Sequence, residues 1–182
     1  EGESVNDRVP VVKEGTDGKD FNYDHKKTPV DLISGNTVIY TIRVYNEGIN
    51  AGYASEVMDD LPDGIIFLPE NETNIEYRWT MYKEVNGGTF DYEYADKKYV
   101  KTDKAEEADI IVTDYLSKEV SEAAGRDSLI KAYDESKGIT DGNPDYRDLK
   151  VAFKVTEPNS SDRIIINTAE ITQNQDKDGN TH

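Results

Sequence analysis

Residues 35–69, GNTVIYTIRVYNEGINAGYASEVMDDLPDGIIFLP, hold the pattern that decides the fold. Over 37–45, β-branched and aromatic side chains alternate with a period of two, which predicts a strand. A second extended run covers 53–60. A third begins at 65–68, after the turn Pro62-Asp63-Gly64, where proline fixes φ and glycine can adopt a positive φ. Three strands separated by tight turns predict a β-sandwich.

The rest of the chain adds further strands. Alternation of apolar and polar side chains predicts strands over 149–156 and 163–172. Shorter strands are expected at 28–32, 75–80 and 110–113. An edge position suits 28–32, because Pro29 is tolerated there.

Turn and helix signals complete the prediction. Asn86-Gly87-Gly88 is a hairpin signal that would join 79–85 to 89–94. Helix is expected only within 115–136, broken at Gly125, with Ser128 capping a second piece over 129–133. Near the start, 8–12 is a short extended piece. Residues 13–28, charged and rich in glycine and aspartate, are expected to be a loop, and 173–182 a polar tail.

Composition limits the function classes. The 182 residues include no cysteine, so disulfides and thiolate metal sites are excluded. The net charge of −17 opposes binding to nucleic acid or an anionic membrane, and no basic patch is present. No run has the length of a membrane-spanning helix. Because neither a signal peptide nor a wall-anchoring tail is present, Glu1 and His182 are expected to be cut points in a longer polypeptide.

Three segments occur in a fixed order: GNTVIYTIRVYNEG, VMDDLPDGIIFLP and IINTAEIT. This order resembles the conserved-repeat domain of bacterial cell-surface proteins, a family of unknown function related to the collagen-adhesin type of immunoglobulin-like sandwich. The likeness covers 28–69 and 149–172, while the segments TDYLS and LIKAY resemble a subgroup from Gram-positive anaerobes. The matching positions are Gly35, Tyr40, Asn46, Gly48, Asp59, Leu61, Pro62, Gly64, Asn167 and Ala169.

Asn167 is the residue on which a functional hypothesis depends. It shares one strand face with Ile165, Ala169 and Ile171, although the opposite face is also partly apolar. One interpretation is a hydrogen-bonded core amide, since an unpaired buried amide costs about 1–3 kcal/mol. The other, implied by the resemblance, is an internal isopeptide bond between Asn167 and a lysine, assisted by a nearby carboxyl group.

Asp59 is the candidate for that carboxyl group. It falls in phase with Tyr53, Val57 and Leu61 and is therefore expected to face inward; the alternative is a carboxylate that caps the turn before Pro62. Burial lowers the pKa of an amine and raises that of an acid. A neutral amine could then attack while the protonated acid polarises the amide.

The lysine is the missing part of this hypothesis. In the resembling proteins it lies on the first strand, and Lys13, in phase with Val11, is the one candidate near the start of the chain. Otherwise the bond is absent, or the lysine belongs to an upstream segment or to another chain. If the first strand is missing, an open edge near Asn167 is expected to recruit a strand from another segment or chain.

Two other groups of residues are candidate binding sites. Aromatic side chains crowd the region 77–99, where they could stack on a glycan or peptide, or instead pack across a long hairpin. The ligand-binding candidates are Trp79, Tyr82, Tyr92, Tyr94 and Tyr99. Asp176, Asp178 and Asn180 imitate the start of a calcium loop, but the later glutamate of such a loop is absent, and a solvated acidic tail is the alternative.

The sequence thus predicts an all-β, immunoglobulin-like β-sandwich over 1–172, with a hairpin and short helix inserted at about 70–148. No histidine-based triad or HExxH motif occurs, so an enzyme is not expected. The expected function is a stalk or spacer module of an extracellular, wall-anchored protein, with neighbouring domains of the same polypeptide as partners. The alternative is an adhesin module that binds glycan or host protein through 70–148. No cofactor, nucleic acid or membrane insertion is expected.

Overall fold

Antiparallel strands dominate the structure, which is a computed structural model and describes Val5 and residues 8–15, 21–26, 28–161 and 163–182. The strands are β1 (Val11–Glu14), β2 (Phe21–Asp24), β3 (Thr37–Tyr45), β4 (Gly52–Asp60), β5 (Ile65–Phe67), β6 (Thr80–Val85), β7 (Tyr92–Tyr94), β8 (Lys97–Lys101), β9 (Ile110–Thr113), β10 (Tyr146–Val155) and β11 (Ala169–Asp176). The helices are α1 (Glu72–Glu76) and α2 (Lys118–Ala123).

The strands form three antiparallel sheets. One has the order β3-β10-β5 and another the order β11-β4-β9-β6-β8-β7, while β1 and β2 form a separate two-stranded ribbon. The predicted strands at 37–45, 53–60, 65–68, 110–113 and 149–156 correspond to β3, β4, β5, β9 and β10. The prediction of an all-β chain is confirmed.

One apolar cluster is shared by the two larger sheets. From the three-stranded sheet it takes side chains such as Phe67, Leu149 and Phe153, and from the six-stranded sheet Val57 and Ile111. All five are at most 2 % exposed. Their burial follows from the period of two along each strand, which directs alternate side chains toward the opposite sheet and gives a sandwich-like arrangement.

The region 70–148 is not an appendage. It supplies β6, β7, β8 and β9, so it builds most of the six-stranded sheet. Neighbouring residues alternate between the shared cluster and a second cluster on the opposite face of this sheet, as Ile111 and Ile110 show. The second cluster consists of Met58, Tyr82, Tyr99, Ile110 and Val112, with Tyr92 and Tyr94 packed against it.

The strand predicted at 75–80 is wrong except at Thr80, where β6 begins, and helix is not confined to 115–136. Residues Glu72–Glu76 form α1, whose N-cap Asn71 accepts a hydrogen bond from Thr73 N. The helix brings the side chain of Asn74 against the edge of β10, where its amide pairs with both N and O of Ala152 at 2.8 Å. This amide replaces a strand partner, since it satisfies a backbone donor and acceptor together.

The predicted hairpin at Asn86–Gly88 is also wrong. β6 pairs with β8, and β7 is joined to β8 by a turn in which Ala95 and Asp96 have φ values of 51° and 65°. Positive φ at both central residues is the geometry that matches the twist of a two-residue hairpin.

Several shorter predictions fail as well. Residues 28–32 are not a strand, and 129–133 are not helical: Ile130 bridges Gly52 instead. β2 lies inside the predicted loop 13–28, of which 16–20 and 27 are outside the described residues. The last strand runs over Ala169–Asp176 and not 163–172, so it takes up part of the predicted polar tail.

The edges of the two sheets are unequal in length. At one end of each sheet lie β3 with 9 residues and β11 with 8, and at the other end lie β5 and β7 with 3 each. Beyond the end of β5, the edge of β10 is closed by Asn74 and by Trp79, whose Nε1 donates to Lys150 O at 2.8 Å. Among the described residues, no helix is long and apolar enough to cross a membrane.

Candidate functional site

Asp59 and Asn167 meet between the two sheets. Asp59 lies on β4, opposite Ala169 of β11 and Ile111 of β9. Just before β11, Thr168 O accepts a hydrogen bond from Asp60 N, which holds Asn167 beside Asp59. Asn167 Nδ2 donates to Asp59 Oδ1 at 2.8 Å and to Oδ2 at 3.0 Å. Two side chains 108 positions apart in the sequence therefore form one polar pair.

Burial controls the charge of this pair. Asp59 is 0 % exposed, and the loss of solvation raises the pKa of its carboxyl group to about 7, although the hydrogen bond from Asn167 lowers it. Burial also raises the pKa of Tyr40 on β3, and the negative charge of Asp59 adds to that increase. At neutral pH the Asp59 carboxyl group is thus divided between its protonated and ionised forms.

One atom of the pair has no partner. Asn167 Oδ1 is buried and accepts no hydrogen bond, although a buried carbonyl oxygen without a donor costs about 1–3 kcal/mol. In the described part of the chain, no lysine or arginine forms an ion pair with Asp59. The pair therefore presents acceptors and a carboxyl group, and no described lysine or arginine pairs with it.

This arrangement suits the chemistry of amide exchange. A protonated carboxyl group beside an amide can polarise its carbonyl oxygen, and the ionised form can take a proton from an attacking amine. Rotation of the Asn167 amide by half a turn exchanges Oδ1 and Nδ2, which places the carbonyl oxygen next to Asp59. The reactant still required is an amine.

Lys13 does not supply that amine in this conformation. It lies on β1, and its Nζ forms an ion pair with Asp24 Oδ2 of β2 at 2.7 Å. Both side chains are exposed. The ribbon is attached near the end of β3, where the rings of Tyr23 and Tyr45 lie 4.7 Å apart.

The five aromatic candidates do not form an exposed rim. Trp79 belongs to the shared core and is 8 % exposed, while Tyr82 and Tyr99 are buried in the second cluster. Tyr92 packs against both of those rings, at centroid distances of 5.4 and 5.9 Å. Tyr94 is half-buried, and its hydroxyl donates to Glu170 at 2.6 Å.

The acidic tail satisfies its own polar groups. Asp176 accepts hydrogen bonds from the backbone N of Asp178 and from the backbone and side chain of Asn180. The bonds from Asn180 hold the pKa of the Asp176 carboxyl group well below its usual range. Within the described residues, no cluster of three or more histidine, cysteine or acidic side chains could hold a metal ion.

Sequence reasoning missed a cavity at the opposite end of β4 from Asp59. A cavity of about 690 Å³ opens between β3 on one side and β4 and β11 on the other, lined by residues such as Val44, Tyr53, Ile130 and Ile171. No sequence pattern identifies this cavity directly. The two longest edge strands, β3 and β11, belong to different sheets, and nothing in the residues themselves shows that they lie on the same side.

Comparison with known proteins finds no family whose pattern matches this chain, no similar curated protein and no similar solved structure.

Proposed function

We propose that this chain is a non-catalytic stalk or spacer module of a bacterial cell-surface protein, with an immunoglobulin-like sandwich fold. The observation that supports this role most directly is the burial of the aromatic residues of 70–148. An adhesin would present several of them on one rim, whereas Tyr82, Tyr99 and Trp79 are each at most 9 % exposed. Aromatic side chains that pack in the interior make the module rigid, and they leave little aromatic surface for a ligand.

The strand arrangement also suits a load-bearing module. The late strands β10 and β11 pair with the early strands β3 and β4, so the main ladders join distant parts of the chain. Such ladders must break together before the chain can extend. Cooperative resistance to extension is the property that a spacer between neighbouring domains requires.

Pulling on tandem copies of the module in an atomic force microscope tests this role. Each copy is expected to resist extension and then open in one step, with a contour-length gain on the order of 600 Å for 182 residues. Extension without a force peak would contradict a spacer function. Binding of a glycan or matrix protein that is lost in Tyr94→Ala but kept in Phe90→Ala would favour the adhesin instead.

We further propose that the Asp59–Asn167 pair accepts a lysine amine to form an isopeptide crosslink in the parent protein. The neutral amine nitrogen bonds to Asn167 Cγ, and the bond from Cγ to Nδ2 breaks. Asp59 takes a proton from the amine and passes it to the leaving nitrogen, which departs as ammonia, so no oxidant or cofactor is needed. By analogy with disulfides, closing a long loop in this way is expected to raise the free energy of unfolding by roughly 3–5 kcal/mol.

Intact mass spectrometry of the parent polypeptide tests the crosslink. A protein with the bond is lighter than its calculated mass by one ammonia, and either Asn167→Ala or Asp59→Ala removes this deficit. Asn159→Ala, which alters an exposed asparagine, is the matched control and keeps the deficit. A parent protein with its full calculated mass would leave Asn167 as a hydrogen-bonded core amide.

A further inference from the structure

The inward face of β3, at the end of its sheet, forms an acceptor cleft that extends from the cavity at Val44 to Tyr40, the residue whose pKa the charge of Asp59 raises. β3 ends one sheet and β11 ends the other, and the cavity lies between them. The inward side chains of β3 are Val38, Tyr40 and Ile42, and they are only half-buried, although their counterparts on β10 are fully buried. An added strand along β3 would cover these side chains and pair with the backbone edge that no described strand occupies.

The Asp59–Asn167 pair lies at the Tyr40 end of the cleft, and its buried oxygen atoms favour a cation there. Asp59 is 0 % exposed, and among the described residues its carboxyl group accepts side-chain hydrogen bonds from Asn167 alone, whose own Oδ1 has no donor. A lysine ammonium group could donate to both the carboxylate and this oxygen. Buried charges in proteins are normally paired, so a strand that bears a lysine fits better than a purely apolar one.

The chain itself contains a strand of this kind. Residues 9–13 read Val-Pro-Val-Val-Lys, so Val9, Val11 and Lys13 share one face. Val9 and Val11 are 54 % and 59 % exposed. Among the described strands β1 pairs with β2 alone, and a two-stranded ribbon alone is marginally stable in water.

Its present attachment keeps β1 away from the pair within the same copy. Tyr23 of β2 stacks on Tyr45, and its hydroxyl donates to Glu47. The charge of Asp59 contributes to the raised pKa of Tyr40, and Tyr45 lies five residues beyond Tyr40, which is about 16 Å along the strand. Lys13 is instead held by an exposed ion pair with Asp24, which is worth little and can be exchanged.

We propose that β1 of a second copy of this chain adds to the free edge of β3, with Val9 and Val11 over the cleft and Lys13 reaching Asp59. The inference rests on the proposed role of the Asp59–Asn167 pair as an acceptor for an amine. Donor and acceptor surfaces differ, so the contact is head-to-tail and can extend into open chains. Each copy has a net charge of −17, so mutual repulsion opposes association, and added salt strengthens it.

Light scattering on the full chain tests the association. The wild type is expected to form a series of oligomers that grows with protein concentration and with salt. Val11→Glu removes the donor strand and Ile42→Glu removes the acceptor cleft, so each variant alone is expected to be a monomer. Their equimolar mixture is expected to form dimers and nothing larger, because each pair keeps one intact donor and one intact acceptor. Ile75→Glu, at an exposed apolar position on α1, should behave as the wild type.

A peptide experiment keeps the test valid if Ile42→Glu fails to fold. A labelled peptide of residues 8–15 is titrated into Val11→Glu and followed by fluorescence anisotropy. It should bind, and a peptide with Lys13→Gln should bind about tenfold more weakly or worse.

A wild type that stays monomeric at every concentration and salt, or oligomers that persist in Val11→Glu, would overturn the proposal. A monomer whose melting temperature falls on Val11→Glu would instead show that β1 fills the cleft of its own copy. None of these measurements depends on the loss of ammonia, so the docking proposal can be disproved without disproving the crosslink, and the reverse.

Discussion

Asp59→Asn is expected to gain about 3 kcal/mol in free energy of unfolding relative to the wild type between about pH 5 and about pH 8. Burial raises the pKa of Asp59 from 3.8 to about 7 in the folded state. The folded chain therefore binds this proton more tightly than the unfolded chain does. The resulting stabilisation is complete below pH 3.8, declines as the pH rises, and is lost above about pH 7. Asparagine stays neutral throughout and avoids that loss.

Urea unfolding at several pH values, followed by the fluorescence of the single tryptophan, measures this difference. Trp79 is buried in the shared core, so its fluorescence reports when that core becomes exposed to solvent. Asp96→Asn, at an exposed residue of the β7–β8 turn, is the matched control and should follow the wild-type pH profile. A constant difference between Asp59→Asn and the wild type at all pH values would mean that Asp59 ionises normally.

Phe153→Ala is expected to lower the free energy of unfolding by about 3–5 kcal/mol. Phe153 is 0 % exposed at the centre of the shared cluster, and its ring contacts those of Tyr40 and Phe67 edge-on at centroid distances of 5.7 and 6.4 Å. Its removal leaves a cavity between the two sheets that these neighbours cannot fill without leaving their own contacts. The measurement is chemical denaturation with the slope compared between variant and wild type.

Phe90→Ala is the matched control for this prediction. Phe90 is 38 % exposed, and its one described aromatic contact is with the Lys98 ammonium group, which lies 4.6 Å from the ring centroid. A surface change of this kind is expected to alter the free energy of unfolding by about 0.5–1 kcal/mol. Equal losses in the two variants would mean that the two larger sheets do not share one core.

Strands were predictable where side-chain alternation and turn chemistry agree. β3 and β10 have a period of two over nine and ten residues, and their core faces follow from it, whereas β4 is an extended run with buried residues on both faces. α1 was missed because the apolar and aromatic residues of 75–80 suggested a strand, although Asn71 before Glu72 is a usable N-cap signal. The β7–β8 turn gave no such signal, since alanine at position 95 is not a residue that favours positive φ.

The candidate site likewise combines a feature that local sequence predicts with one that it does not. The inward direction of Asp59 follows from strand phase, which is local information, whereas phase left the direction of Asn167 open, and this residue lies just before β11. Their contact depends on the register between β4 and β11, which is a long-range property that no local pattern specifies. Lys13 shows the limit of phase reasoning, because its strand has the expected alternation but pairs with β2 and lies apart from the site.

The unequal edges give any growth of the sheets a direction. Unpaired strand edges are the templates on which fibrils and misfolded aggregates add further chains. β5 and β7, with 3 residues each, offer too few backbone groups to hold a foreign strand, and the Asn74 amide occupies the next groups along β10. Within the described residues β3 has no such protection, and β11 is covered only over Asn174–Asp176, where residues 180–182 fold back on it. One flank of the molecule is therefore inert toward other chains, and both the aggregation hazard and any ordered fibre must develop from the opposite flank.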